Sequence, residues 1–375
     1  AMCGRGAMSM SAERCRKIAG GARIRGGERL RTKYNLTPRS YVPVVRSCAL
    51  DTDKDVERTP DSVGGRTVAR EVCSMRWGLV PSFAKRAEDY DAFSGGSSTF
   101  NARVESLQSS GLWRRLLDSR RGVMLFDGFY EWRKAGKAKV PMFIRNSDDY
   151  DGHVIGNAAP DWAPEADKPS ADVDTGPRHA PLMLAALYDI WKGPKEGKEG
   201  DEKSDAKVSA AFTFSEPLES ATILTMGSEG TPMFQVHDRM PVFLTPETAA
   251  LWLNPAKQFS DIIQTVLKTS MEHAQELYMY EVAPLVSNVK NESPDCILPK
   301  KEWDNKSLSG GLGRFFKKVD PASPNKVAAP NNSLKPASDS LKAPTSEVKG
   351  LGTGSKRLAC PSPGAEKRPT KVVRI

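Results

Sequence analysis

Cys3, two residues after the first in Ala1-Met2-Cys3-Gly4-Arg5, is the side chain around which chemistry can be argued. Cysteine is small enough for aminopeptidases to strip a preceding methionine, which leaves an α-amine and a thiol on adjacent carbons. Such a 1,2-aminothiol traps aldehydes. The amine condenses with the carbonyl to a Schiff base, and the thiol closes onto the imine carbon as a five-membered thiazolidine. Both groups react near neutrality, with ordinary pKa values of roughly 8 and about 8.5. An early cysteine is by itself commonplace, so the rest of the chain has to decide.

Three other stretches offer matching chemistry. Asp127-Gly128-Phe129-Tyr130-Glu131-Trp132 sets one carboxylate among aromatics; desolvation there raises the pKa of an acid and suits Glu131 to proton transfer. His237-Asp238-Arg239 is a dense polar cluster, and Asn101-Ala102-Arg103 follows a turn. Each also has an ordinary reading: Glu131 paired with Arg133 or a lysine, His237 as a hydrogen-bonded turn residue, Asn101 as a cap.

The elements that would position these residues are mostly strands. Tyr41–Val45 is β-rich, Met75–Phe83 ends a strand between a Gly and a Pro, and Arg121–Trp132, a buried strand in its first half and aromatic in its second, has Pro141–Ile144 as its hairpin partner. Pro181–Trp191, Phe212–Phe214, Ala221–Thr225 and Leu277–Val282 read as further strands. Ser11–Ala19 reads as a helix capped by Ser9 or Ser11 and closed by Gly20-Gly21. Helices are also expected over Ser110–Arg120, after the Thr245-Pro246-Glu247 start signal, and around Ser260–Thr269. The sum is an α+β body over residues 2–299, a curved, barrel-like and mostly antiparallel sheet with peripheral helices, interrupted by polar insertions near 51–70, 85–98, 145–178 and 192–207.

Charge and composition narrow the partners. Fifteen basic and six acidic residues in 301–375 account for the whole net charge of +9, so the body is neutral overall. Within it, residues 1–40 carry ten basic side chains against Glu13 and Glu28, which predicts a basic surface around Cys3 suited to a phosphate-bearing partner; a solvated charge run is the alternative. No apolar run reaches membrane-spanning length, and no secretory signal opens the chain, so an intracellular protein is expected. Six scattered cysteines and four histidines without ligand spacing predict neither disulfides nor a metal, and no cofactor is expected.

Taken together and in order, Met2-Cys3-Gly4-Arg5, Tyr34-Asn35-x-x-Pro38, Arg76-Trp77-Gly78-Leu79-Val80-Pro81, Asn101-Ala102-Arg103-x-Glu105, Asp127–Trp132 and His237-Asp238-Arg239-Met240-Pro241 resemble the SRAP (SOS-response-associated peptidase) family over about residues 2–299. The resemblance implies a sensor of abasic sites in single-stranded DNA that crosslinks to the ring-opened sugar aldehyde through its N-terminal cysteine and shields the lesion. It implies Cys3 as nucleophile, Asn101 holding the Cys3 backbone or the sugar oxygen, Glu131 shuttling protons and His237 as second acid/base. Arg103 and Arg239 match positions that contact DNA phosphates, with Arg5 and Arg76 as additions. Trp77 and Trp132 are candidates for stacking on bases beside the lesion, with a place in the core as the alternative. The peptidase label implies autoproteolytic exposure of Cys3. If Ala1 is native, an Ala-Met dipeptide must leave first.

Residues 300–375 read as a disordered basic tail. Leu312, Phe315 and Phe316 have the spacing of a sliding-clamp (PCNA) binding box, and Lys356-Arg357 with Lys367-Arg368 resemble a bipartite nuclear import signal. A monomer is expected, nuclear and at replication forks if the source is eukaryotic. Two other functions compete: a non-covalent reader of modified cytosine, and a general thiol protease.

Overall fold

The computed structural model describes residues 4–48, 62–63, 66–67, 69–90, 98–150, 154–156, 179–193 and 217–309. Its strands are β1 (Gly6–Met8), β2 (Arg23–Arg25), β3 (Lys33–Leu36), β4 (Tyr41–Cys48), β5 (Ser62–Val63), β6 (Arg66–Thr67), β7 (Ala69–Trp77) and β8 (Asn101–Arg103), then β9 (Arg121–Phe126), β10 (Gly128–Ala135), β11 (Ala138–Arg145), β12 (Leu182–Trp191), β13 (Leu218–Gly227), β14 (Arg239–Pro241), β15 (Phe243–Leu244) and β16 (Tyr278–Glu281). The helices are α1 (Ala12–Ile18), α2 (Gly111–Arg114), α3 (Pro246–Leu253), α4 (Phe259–His273) and α5 (Lys300–Ser309).

Five strands close on themselves. β13, β12, β9, β4 and β7 pair antiparallel in that order, and β7 returns to β13 through a parallel pair, Ser220 with Arg76 and Ala221 with Trp77. Closure is evident from side chains of non-adjacent strands that meet inside: Trp77 of β7 packs edge-to-face on Phe126 of β9 at 5.4 Å, a geometry worth about 0.5–1.5 kcal/mol beyond area burial. Val44, Met75, Met124, Leu184 and Ile223 share that inward face by strand register and are buried. The expected barrel-like, mostly antiparallel α+β architecture is therefore what the chain adopts.

One mouth of the barrel is plugged by charge. Glu71 accepts from Nε of Arg46 at 2.6 Å and lies 3.3 Å from Nη2 of Arg23. Glu219 joins Arg46 at 3.2 Å from across the interior and also pairs with Arg25. Arg46 lies over the Tyr188 ring.

A second sheet, ordered β16-β11-β10-β1-β3, leans on the barrel. The chain crosses from β9 to β10 at Asp127-Gly128. The buried Asp127 carboxylate accepts from the backbone N–H and hydroxyl of Ser9, and its own N–H donates to Ala7. Gly128 has no room for a side chain: a Cβ there would overlap the Phe143 ring and stand 2.7 Å from the Ile144 carbonyl oxygen. Gly128→Ala is accordingly expected to cost about 3 kcal/mol by overpacking, read as a lower urea midpoint with unchanged slope.

Local signals mostly landed where expected. Ser11, not Ser9, caps α1 by accepting from Arg14 N–H, because Ser9 is engaged with Asp127. Thr245 and Thr248 form a reciprocal capping box at the start of α3. The 110–120 segment departs from the helix expected there. It is α-helical only over Gly111–Arg114 and continues in tighter turns such as Leu116 N–H to Trp113 O. Arg121 draws the Leu117 carbonyl to its guanidinium, and Asp118 accepts from Phe259 N–H, which pulls these groups out of helical register.

The body also runs past the expected boundary at 299. Lys300–Ser309 is the helix α5, whose Lys306 reaches Asp295 at 2.6 Å; the segment's polarity had suggested the tail. The Phe212–Phe214 strand and the rest of the tail lie outside the described residues.

Candidate functional site

The N-terminal strand borders the strand that carries Glu131. β1 pairs antiparallel with β10, Gly6 with Phe129 and Ala7 with Gly128, and Tyr130 N–H donates to Arg5 O at 3.0 Å. Carrying that register on by one residue sets Gly4 opposite Glu131. Gly4 also abuts the Phe100 ring, since a Cβ at Gly4 would be 3.6 Å from it, and Phe100 is the residue before Asn101. Cys3 itself lies outside the described residues.

Alternation along β10 sorts its side chains. Phe129 faces the main core and packs near Phe243, and Glu131 shares its side, 5% exposed. Tyr130 faces a smaller cluster with Phe143 and Cys296, and the half-buried Trp132 packs against that cluster. The carboxylate is thus buried, and its two sequence neighbours point to the other face.

Asn101 and Arg103 ride on β8, which runs parallel to β13 with Ile223 opposite Asn101 and Thr225 opposite Arg103. On the other edge β14 pairs with the same end of β13, Gly227 with Arg239. This joins two motifs more than a hundred residues apart. Arg239 makes a bidentate ion pair with Glu105 at 2.9 and 3.0 Å and also donates to the Thr225 carbonyl. The hydrogen bond from Arg239 is the main reason the Glu105 pKa is held below the usual carboxylate value. Arg103 is exposed.

His237 sits on the loop between β13 and β14 with its ring 30% exposed. Its Nδ1 is 3.1 Å from Arg239 N–H and 2.8 Å from Asp238 Oδ1. The two contacts serve different protonation states. Unprotonated Nδ1 accepts from Arg239, and protonated Nδ1 donates to Asp238. Among the described residues neither contact engages Nε2. The other described histidines do not compete: burial lowers His179 and His273 to about 4. Burial likewise pushes the Cys73 thiol up to about 12 and Cys296 to about 11, which makes them poor nucleophiles.

Several expected contacts have other work. Trp77 is fully buried, and its Nε1–H donates to Phe100 O; it is a barrel residue that anchors the approach to Asn101 and offers no face to a base. Arg239, 17% exposed, pairs its guanidinium with Glu105 and Thr225, and its N–H donates to His237 Nδ1. Arg76 donates to the Gly78 carbonyl.

Arg5 belongs to a clamp. It donates to Asn35 Oδ1 and the Val286 carbonyl, with its guanidinium 5.6 Å over the Trp132 ring, while Asn35 donates to the carbonyls of Val286, Asn288 and Asn291. Trp132 thereby has one face covered by Arg5, and its Nε1–H donates to Ser287.

Four of the basic residues among 1–40 meet acidic partners. Arg23 and Arg25 serve the charged plug at Glu71, six residues along β7 from Trp77 and so about 20 Å away. Arg16 pairs with Glu13, and Lys33 with Glu292.

Two exposed phenylalanines among the described residues escaped the sequence reading, Phe83 and Phe234, each 54% exposed. Phe83 follows the Trp77–Pro81 motif with Arg115 stacked on it at 4.9 Å. Composition carries no signal for either, because an exposed and a buried phenylalanine look alike in sequence. Leu312, Phe315 and Phe316 lie outside the described residues.

Comparison with known proteins bears on this arrangement. The sequence profile described as SOS response associated peptidase (SRAP) matches residues 2–289. The chain is 30% identical over 342 residues to "Abasic site processing protein HMCES" of Gallus gallus, covering 87% of each chain. It is 30% identical over 224 residues to "Abasic site processing protein YoqW" of Bacillus subtilis, covering 60% of this chain and 74% of that one. A crystal structure of a protein from Bacteroides thetaiotaomicron superposes with a TM-score of 0.50 at 17% identity, covering 79% of this chain and 99% of that one; that likeness speaks to fold alone.

Proposed function

The chain belongs to the SOS response associated peptidase (SRAP) family, and on that premise we propose that it captures abasic sites in single-stranded DNA through Cys3. The observation that carries the reading is the β1–β10 register, which brings the backbone leading to Cys3 beside the buried Glu131 and against Phe100, next to Asn101. Relatives named as abasic site processing proteins, over most of both chains in the case of the Gallus gallus protein, support the substrate.

The chemistry proceeds in balanced steps. Hydrolysis of the Met2–Cys3 peptide bond consumes one water and frees the Cys3 α-amine, a cleavage we assign to the protein itself. The amine attacks C1′ of the ring-opened deoxyribose, and the carbinolamine loses one water to give an imine. The Cys3 sulfur then adds to that carbon while its proton passes to nitrogen, closing the thiazolidine. Glu131 supplies and removes the protons of ring opening and carbinolamine dehydration, and His237 acts as the second acid/base through Nε2.

Asn101 orients the N-terminus or the sugar, and the exposed Arg103 takes a phosphate. The lesion is thereby shielded. In the tail, Leu312, Phe315 and Phe316 would engage the sliding clamp PCNA, and the two basic pairs would direct a monomeric protein to the nucleus.

Intact-mass spectrometry before and after incubation with a single-stranded oligonucleotide carrying one abasic site tests the reading. The expected result is a Cys3 terminus that gains the oligonucleotide mass less one water and survives heating. A Cys3 terminus that binds the oligonucleotide but gains no mass would sink the covalent reading in favour of a non-covalent reader.

A further inference from the structure

We propose that Phe234 is the stacking platform for the base next to the abasic nucleotide; the inference rests on the abasic-site reading for the identity of the strand. Phe234 lies in a 3-10 turn, Pro232–Gln235, at the head of the loop that carries His237. Its backbone is fixed on every side. Thr231 Oγ1 donates to Ser228 O at 2.8 Å, Phe234 N–H to Thr231 O at 3.1 Å, and Gln275 to Gly230 O at 2.9 Å. Its neighbour Met233 is fully buried, and Val236 is buried as well. Phe234 is turned out, 54% exposed, as is the polar Gln235 beside it.

A single exposed phenylalanine is not in itself informative. Its spacing is. The 3-10 turn ends at Gln235, and His237, three residues beyond Phe234, is folded back on it by an α-type bond from its N–H to Met233 O at 2.9 Å. Residues three apart around such a turn are neighbours on its surface, so one loop carries Phe234 and His237 next to each other. That loop leaves β13 at Gly227, and two residues earlier on β13 Thr225 stands opposite the exposed Arg103 of β8.

A nucleotide without a base leaves its neighbour with one uncovered face. An aromatic ring fixed beside the acid/base group that would work on the sugar covers that face, and it does so for any base because every base has one. A cation in the same region holds the adjoining phosphate.

The test uses the full chain and a single-stranded oligonucleotide with a tetrahydrofuran abasic analogue, which lacks the aldehyde and cannot form a thiazolidine. Affinity measured by fluorescence anisotropy is expected to fall about tenfold in Phe234→Ala, to be restored in Phe234→Trp, and to keep an unchanged dependence on salt, with the melting temperature unmoved. Binding by Phe234→Ala within twofold of wild type overturns the proposal. So does an equal loss in Phe234→Trp, a reduced salt slope, or failure of the wild-type protein to bind the analogue. Failure of the aldehyde-bearing oligonucleotide to crosslink would overturn the covalent reading and leave this comparison standing.

Discussion

Replacing Glu131 by Gln is expected to slow formation of the Cys3 adduct by about 10²–10⁴-fold, the usual contribution of a positioned proton-transfer group. Gln keeps the size and the hydrogen-bonding edge of the side chain but cannot pass a proton at neutral pH. Because Glu131 is buried on the barrel side of β10, beside Gly4, the loss should fall on the chemical step. Affinity for the tetrahydrofuran oligonucleotide should stay within twofold. Single-turnover crosslinking with protein in excess separates the two, since the plateau rate reports chemistry and the half-saturating concentration reports binding. A plateau rate within tenfold of wild type would remove Glu131 from the chemistry, and a lowered melting temperature with lost binding would make it a structural residue.

The second large effect is on stability. Glu71→Gln is expected to cost about 3–5 kcal/mol at pH 7, because it leaves the charge of Arg46 without its main counter-charge at the barrel mouth. Glu71 is 2% exposed and is met by Arg46, Arg23 and Arg25. Burial alone would raise its pKa; the charge and hydrogen bond of Arg46 and the charge of Arg25 reverse that and hold it below the ordinary value.

A carboxylate with a depressed folded-state pKa contributes stability above its unfolded value, about 4.3, and that contribution is lost as pH falls through the folded value. Urea unfolding at pH 7 and pH 3 should therefore show a wide gap between variant and wild type at pH 7 that narrows at pH 3. A gap of the same size at both would mean that the cost is one of packing and not of charge.

Local structure was written in the sequence because its causes are local. The Thr245-Pro246 start of α3, the hairpin of β10 and β11 and the Gly20-Gly21 stop of α1 follow from caps, turn residues and alternation within a few positions. The motif residues Cys3, Asn101, Glu131 and His237 could be picked out as candidates for the same reason. Asn35 shows the limit: its motif could be quoted, but its work, donating to three carbonyls between Val286 and Asn291, depends on a loop some 250 residues away.

What only the tertiary structure decided is which face of each strand is inside and which charge meets which. Alternation gives two faces without saying which one the barrel will enclose, so Trp77 could be read as a base-stacking residue until closure through β7 and β13 put it in the core. Arg23 and Arg25 could be read as part of a basic surface until they met Glu71 and Glu219 at the plugged mouth. A buried charge requires a partner wherever in the chain one can be brought close. Residue types alone therefore determined that a cysteine, a carboxylate and a histidine were present in these motifs, while the closed barrel decided which side chains surround the carboxylate and the histidine and which hold it shut.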